Sequence, residues 1–353
     1  MYNDLRKIIE AGIRAPSGDN CQPWEFKIED NSVYLFNLPN RDSSVYSWGQ
    51  RASFVAHGAL IENMLISSSA LGYTVDLNLF PGNQPNLVAK FSFNKSSVKN
   101  EPLFSYIKER STNRKPYEKK KLTKEQYSEL IENNENDSKA RVLLVDDPDK
   151  KILLAEAGST NEEVIMENKD LHDFFYDHIN WTKKEDEEKS IGFYIKTLEL
   201  PGPALIGFKL FRNWFILKLF NKIGFSKMLA KGNTKIYNSS SVIGAVIVPG
   251  NTREDYIHAG RLFQRVWLRT TKLGLSLQPL AGMLFLMLRI LNGESDVFSS
   301  KHVNLIKNKH RTVKDIFEAK DENVVMMFRI GYSSNPSAKA TRLKIDNFIN
   351  NSL

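Results

Sequence analysis

The chain has 353 residues, 41% of them hydrophobic and 25% charged, with a formal net charge of +8. That length suits two domains, or one large α+β unit with an insertion, and the composition excludes disordered and collagen-like chains. Cys21 is the only cysteine, which rules out an internal disulfide framework and fits a reducing compartment, whereas the charge speaks to a partner (nucleic acid, anionic lipid or a phosphorylated small molecule) without choosing among them.

The stretch from Met1 to Asn20 has no apolar signal-peptide core and reads as an amphipathic helix running into a turn, so a cytoplasmic chain is expected. The loop Pro16-Ser17-Gly18-Asp19-Asn20-Cys21-Gln22-Pro23-Trp24 follows, then strands near Trp24 to Ile28 and Val33 to Phe36. A long helix ends at Gly72, where a left-handed cap is expected. Strands near Val75 to Phe80 and Val88 to Phe93 complete this first unit.

That long helix occurs twice. Phe54 to Asp76 and Tyr256 to Gln278 align without a gap, Gly58 with Gly260 and Gly72 with Gly274, at one offset of 202 residues. The second copy begins near Glu101. Thr123 and Gln126 predict a capping box for a helix through Leu130 to Asn133, and Arg141 to Asp147 reads as a strand. Strands at Val242 to Val248 and Asn323 to Ile330 close the copy, and the tail 331–353 is long enough to reach the other half. The division is therefore 1–100 and 101–353, and the stretch at about 171–241 has no counterpart in the first copy.

Within that stretch, Phe208 to Lys231 mixes Lys209, Arg212, Lys218, Lys222 and Lys227 with Trp, Phe, Ile and Leu. This is the composition of a membrane-surface helix, or equally of a lid with an apolar face turned inward. We take the whole stretch at about 171–241 as an inserted helical lid and expect no membrane partner; co-sedimentation with liposomes separates the two readings. The apolar stretch Leu275 to Leu291 is interrupted by Gln278, Pro279, Gly282 and Arg289 and falls short of the roughly 20 residues of a spanning helix.

Four segments can carry chemistry. The Pro16 to Trp24 loop offers Ser and Asn side chains to a planar heteroaromatic edge, although an Asx turn joining two elements uses the same residues. In an extended segment Arg110, Thr112 and Arg114 project to one side, a cluster suited to a phosphate dianion, or else a solvated basic linker. The tail carries Arg342, and Gln278 to Gly282 closes the second repeat helix. The histidines show no ligand spacing, so no metal site is expected. Hydrolase, Walker and Rossmann motifs are absent, and nucleic acid has only net charge behind it.

The loop resembles the PSxxNxQPW loop of nitroreductases, and Arg110 to Tyr117 followed by KLTKEQ resembles that family's R-x-S-x-R/K motif, with Thr112 in the Ser position. The resemblance is closest to the fused two-copy Acg-type branch. It implies a nitroreductase-like α+β fold of two half-copies, an intramolecular pseudo-dimer in a monomeric, bacterial chain. It further implies FMN as cofactor: Pro16, Ser17 and Asn20 at the ring, Arg110, Thr112, Arg114 and Arg342 at the phosphate, and Pro279, Leu280 and Gly282 near the flavin N5 edge.

Since the intact loop lies in the first copy and the intact arginine motif in the second, one site per chain is expected. The resemblance implies NAD(P)H as electron donor and hydride transfer through FMN to a small-molecule acceptor such as a nitroaromatic or quinone, with no catalytic acid or base assigned. The other reading is a flavin-storage protein with little reductase activity.

Overall fold

Two four-stranded antiparallel sheets carry the two halves of the chain, and they share one strand order. The computed structural model describes residues 1–132 and 139–350. In the first half, α1 (Tyr2–Gly12) leads to β1 (Trp24–Glu29) and β2 (Ser32–Asn37), then α2 (Arg51–Ala70), β3 (Tyr73–Leu79) and β4 (Leu87–Lys95), with sheet order β1-β2-β4-β3.

The second half runs through α3 (Tyr106–Glu109), α4 (Lys124–Ile131) and β5 (Arg141–Val145). It continues with α5 (Pro148–Glu167), α6 (Lys169–Asp177), β6 (Ile179–Asn180), α7 (Lys183–Lys189) and β7 (Phe193–Tyr194), then α8 (Gly202–Leu210), α9 (Trp214–Asn221) and α10 (Phe225–Asn238). β8 (Val242–Val248), α11 (Arg253–Lys272), β9 (Ser276–Pro279), α12 (Gly282–Leu291), α13 (Ser300–Ile316) and β10 (Asn323–Gly331) complete it. Its sheet order, β5-β8-β10-β9, repeats the first when α4, β5, β8, α11, β9 and β10 are matched to α1, β1, β2, α2, β3 and β4. This is an α+β fold of two half-copies.

Local sequence explains the shared elements. Thr123 and Gln126 form the reciprocal capping box at α4, and Thr252 with Asp255 does the same at α11. Both long helices stop at a glycine in the left-handed region, Gly72 at φ +79° and Gly274 at φ +68°, which a side chain would disfavour. α2 and α11 cross at Gly58 and Gly260, where Glu62, almost fully buried, accepts from Arg261 (2.9 Å) and Arg265 (2.5 Å). One apolar core, from Trp24 and Phe91 to Phe263 and Phe328, runs through both halves.

Where β1 and β2 are joined by a tight turn, β5 and β8 are separated by six α-helices. This excursion begins at Pro148, ahead of Leu171, because α5 packs Leu154, Ala157 and Val164 into the second core with Ile243, Ala245 and Ile247 of β8. The tail after β10 crosses to the first half. Phe26 N–H donates to Phe348 O (2.7 Å) and Asn350 N–H to Phe26 O (2.9 Å), so the tail extends the first sheet beside β1. The segment 133–138, in which the sequence offers no second Pro16–Trp24 loop, lies outside the described residues. Among those described, no helix is long and apolar enough to cross a membrane, and no group of three metal-ligating side chains occurs.

Candidate active site

The Pro16–Trp24 loop holds an uncommon backbone. Asp19, Asn20 and Gln22 all have positive φ (46°, 54° and 51°), a strained arrangement for non-glycine residues that neighbours must enforce. Ser17 Oγ accepts from Gln22 N–H (3.0 Å). The Gln22 side-chain amide donates to Ser190 O (2.7 Å) and Asn20 O (3.2 Å), while its oxygen accepts from Leu343 N–H (3.1 Å). Asn20 donates to Ser190 O and Thr341 O (both 3.1 Å) and accepts from Arg342 Nη1 (2.7 Å). The loop of the first half, the excursion and the tail therefore meet through two amide side chains.

Around this junction stand guanidinium groups that form no ion pair with a carboxylate among the described residues. Arg110 donates to Arg14 O (2.8 Å) and lies over the Trp267 ring, 4.4 Å from its centroid. Arg342 donates to Asn20 Oδ1, Thr341 O (2.8 Å) and Ala15 O (3.2 Å). The Nε atoms of both are buried without a hydrogen-bond partner among the described residues. Burial, then the neighbouring Arg342, pushes Arg110 down to about 9; burial, then Arg14, pushes Arg342 down to about 10, against the weaker opposing pull of Asp186. Both remain cations at neutral pH, and with the exposed Arg14 near Arg342 they make a locally cationic junction whose chemistry suits an anion.

Arg114 faces elsewhere. It donates to Thr197 O (3.0 Å) and stacks over Phe193 in the excursion, while Asn113 pins the segment to β9 through Leu277 O (3.0 Å) and Ser276 Oγ (2.9 Å). Arg110 lies at the end of α3, so the strand alternation that would align it with Arg114 starts only after it; Thr112 bridges Leu277. Arg342, rather than Arg114, stands beside Arg110. Fully buried Arg329 secures the same region, donating to Gln278 Oε1 (2.8 Å), Ile236 O (2.9 Å) and Lys115 O (2.7 Å) beneath Tyr117.

A second polar cluster adjoins Arg114 and Asp19. Tyr237 donates to Glu162 Oε1 (3.1 Å), the other carboxyl oxygen is buried with no hydrogen-bond partner among the described residues, and Tyr46 faces Asn161 and Glu162. Asn161 stands so close to Gly282 that a Cβ there would lie 2.4 Å from its Oδ1. Burial pushes Glu162 up to about 7 and Asp19 up to about 6. Tyr237 is buried, and Tyr46, Asn161, Glu162 and Asp19 keep only a part of their surface exposed. Leu280 N–H donates to Met327 O (2.7 Å), which fixes Pro279 and Leu280 along β10, and Pro16 stays half-buried in the loop.

Sequence reasoning passes over Arg14, Gln22, Asn161, Glu162 and Arg329. Gln22 stands inside the singled-out loop, and Arg14 directly precedes its Ala-Pro start, so position could have flagged both. Asn161, Glu162 and Arg329 reach the site only through packing. The arrangement suits a ligand with a phosphate at one end and a polar ring system at the other.

No family model matches the chain. It is 24% identical over 345 residues to an uncharacterized protein of Mycobacterium tuberculosis, covering 95% of this chain and 46% of that one. Over 90 residues it is 29% identical to the "Putative NAD(P)H nitroreductase acg" of the same organism, 25% of this chain and 27% of that one. The chain thus spans about half the length of the first relative and about a quarter of the second. A solved nitroreductase with bound FMN from Bacteroides fragilis is 11% identical, with 70% of this chain and 96% of that one covered at a TM-score of 0.37. The FMN-dependent nitroreductase NfnB of Mycobacterium smegmatis, solved with NADPH, gives 16%, 69%, 94% and 0.36. Superpositions this loose establish nothing by themselves, and the fold class rests on the two matching sheets.

Proposed function

We propose that this chain, a member of the nitroreductase superfamily in its fused two-copy form, binds one FMN and works as an NAD(P)H-dependent oxidoreductase on small acceptors such as nitroaromatics or quinones. The observation that carries the reading is the buried pair Arg110 and Arg342, from the second half and the tail, whose two Nε donors lack an acceptor among the described residues. Those unmet donors fit a phosphate oxygen, and guanidinium forks match that geometry.

In this reading Arg110 and Arg342 hold the phosphate with Thr112 beside them, Arg114 is turned away onto Thr197 and Phe193 of the excursion, and the Pro16, Ser17 and Asn20 loop closes one side. The Pro279–Gly282 turn with Asn161 and Glu162 borders the ring. Bound FMN supplies the hydride chemistry. The residues around it bind, orient and tune charge. Glu162, poised to ionise near neutrality, can hold or release a proton at its free oxygen, a setting proteins reach by burying a carboxyl. The one-site expectation follows from the same distribution of motifs.

One observation favours the storage reading as a second possibility. Asn20 and Gln22 spend their side chains on Ser190, Thr341 and Leu343, so the excursion and tail are bonded across the loop instead of standing open. The test is an anaerobic visible spectrum of FMN-loaded, desalted protein before and after NADPH, then NADH. Bleaching supports the reductase; flavin that stays yellow supports storage; and no retained flavin overturns both.

A further inference from the structure

The run from Phe208 to Lys231 reads from sequence as a lid with its apolar face inward, yet in the structure its apolar residues divide between two opposite faces. Phe211, Leu217 and Phe225 turn in, with Phe211 and Phe225 in ring contact at 4.3 Å. Ile206, Leu210, Phe215, Leu219, Ile223 and Met228 turn out, and Phe215 and Ile223 are each 82% exposed. Phe215, Leu219 and Ile223 follow one another at four-residue spacing along α9 and its end, so they line one face. A helix apolar on both sides needs a second apolar environment.

The charges around that face all have one sign. From Leu200 to Thr252 the sequence contains no aspartate or glutamate, whereas Lys209, Arg212, Lys218, Lys222, Lys227 and Lys231 are all exposed. Four of the lysines directly precede an outward apolar residue, in Lys209-Leu210, Lys218-Leu219, Lys222-Ile223 and Lys227-Met228. Such pairs let the apolar side chain enter hydrocarbon while the lysine stem runs back to a phosphate headgroup. Lysine is depleted in protein–protein interfaces, so this mixture fits lipid better than a protein partner. No described helix can span a bilayer, so the contact is a surface one.

We propose that α8, α9 and the start of α10 dock this chain on the surface of an anionic lipid bilayer, with Phe215, Leu219, Ile223 and Met228 inserted and the lysines among the headgroups. The inference is independent of the flavin, and its test uses none. The full chain is co-sedimented with phosphatidylcholine vesicles, with and without phosphatidylglycerol, at low and high salt. The expected result is binding to the phosphatidylglycerol vesicles that falls with salt.

Phe215→Asp with Ile223→Asp should lower that binding at least ~10-fold while leaving the melting temperature unchanged, since both side chains already face water and only their insertion is lost. Lys218→Glu with Lys222→Glu should weaken it in the anionic vesicles alone. No binding to anionic vesicles, equal binding to both vesicle types, or unaltered binding by the aspartate variant each overturns the proposal. So does a chain that self-associates through this face in sedimentation velocity and never binds vesicles.

Discussion

Gly58 and Gly260 lie back to back at the crossing of α2 and α11. A Cβ on Gly58 would fall 2.1 Å from Ile257 O, and one on Gly260 would fall 2.0 Å from Val55 O. Val55 and Ile257 are themselves equivalent in the repeat, so each helix presses the same glycine against the same carbonyl of the other. That reciprocity is the signature of an isologous contact, here between two parts of one chain.

Gly260→Ala should therefore be costly. Backbone, not a movable side chain, occupies the space a methyl needs, so the helices must separate. We expect a loss of about 3 kcal/mol, read as a lower denaturant midpoint. Gly232→Ala serves as the contrast: a Cβ there meets nothing within 4 Å in α10, so up to ~1 kcal/mol of stability should be gained from helix propensity.

Removing a phosphate cation should separate FMN from riboflavin. Arg342→Ala should weaken FMN binding between about 10- and 100-fold, the worth of a charge-assisted hydrogen bond, while riboflavin, lacking the phosphate, changes little. Quenching of flavin fluorescence in titrations with each ligand reads the difference. Equal losses for both would move Arg342 away from the phosphate.

The buried carboxyls predict a falling stability across mildly acid to neutral pH. Burial raises Glu162 from 4.5 to about 7 and Asp19 from 3.8 to about 6, so the folded chain holds protons that the unfolded chain releases. Their contribution is fully favourable below about pH 4 and is lost as pH rises through the folded values. Melting temperatures of the flavin-free protein should fall between about pH 4.5 and 7, and Glu162→Gln should flatten that fall and be the more stable protein at pH 8.

Arg329 should prove structural first. Its three donors satisfy Gln278, Ile236 and Lys115 in a fully buried setting. Arg329→Met leaves those acceptors unmet and should cost about 3 kcal/mol, with the arginine motif loosened through Lys115. Urea denaturation measures the first effect, and the FMN titration above measures the second.

How much of this is legible in the sequence depends on the range of the interaction. The repeat could be read because Gly58 and Gly260 obey a local requirement, and the helix ends because Gly72, Gly274 and the Thr123–Gln126 box are local devices. α5 is not legible as part of the excursion, since what assigns it is packing on β8. The partnership of Arg110 with Arg342 spans most of the chain, and Asn20, read as a ring contact, also holds the tail. The outward face of α9 was equally hidden: a segment apolar on every side does not reveal which side meets water.

The most direct test of the account is the ratio of flavin to chain in FMN-loaded, desalted protein, compared with the double variant Arg110→Ala, Arg342→Ala. A ratio near one is expected for the natural chain and near zero for the variant. A ratio near two, no retained flavin, or a variant that keeps its FMN would contradict it.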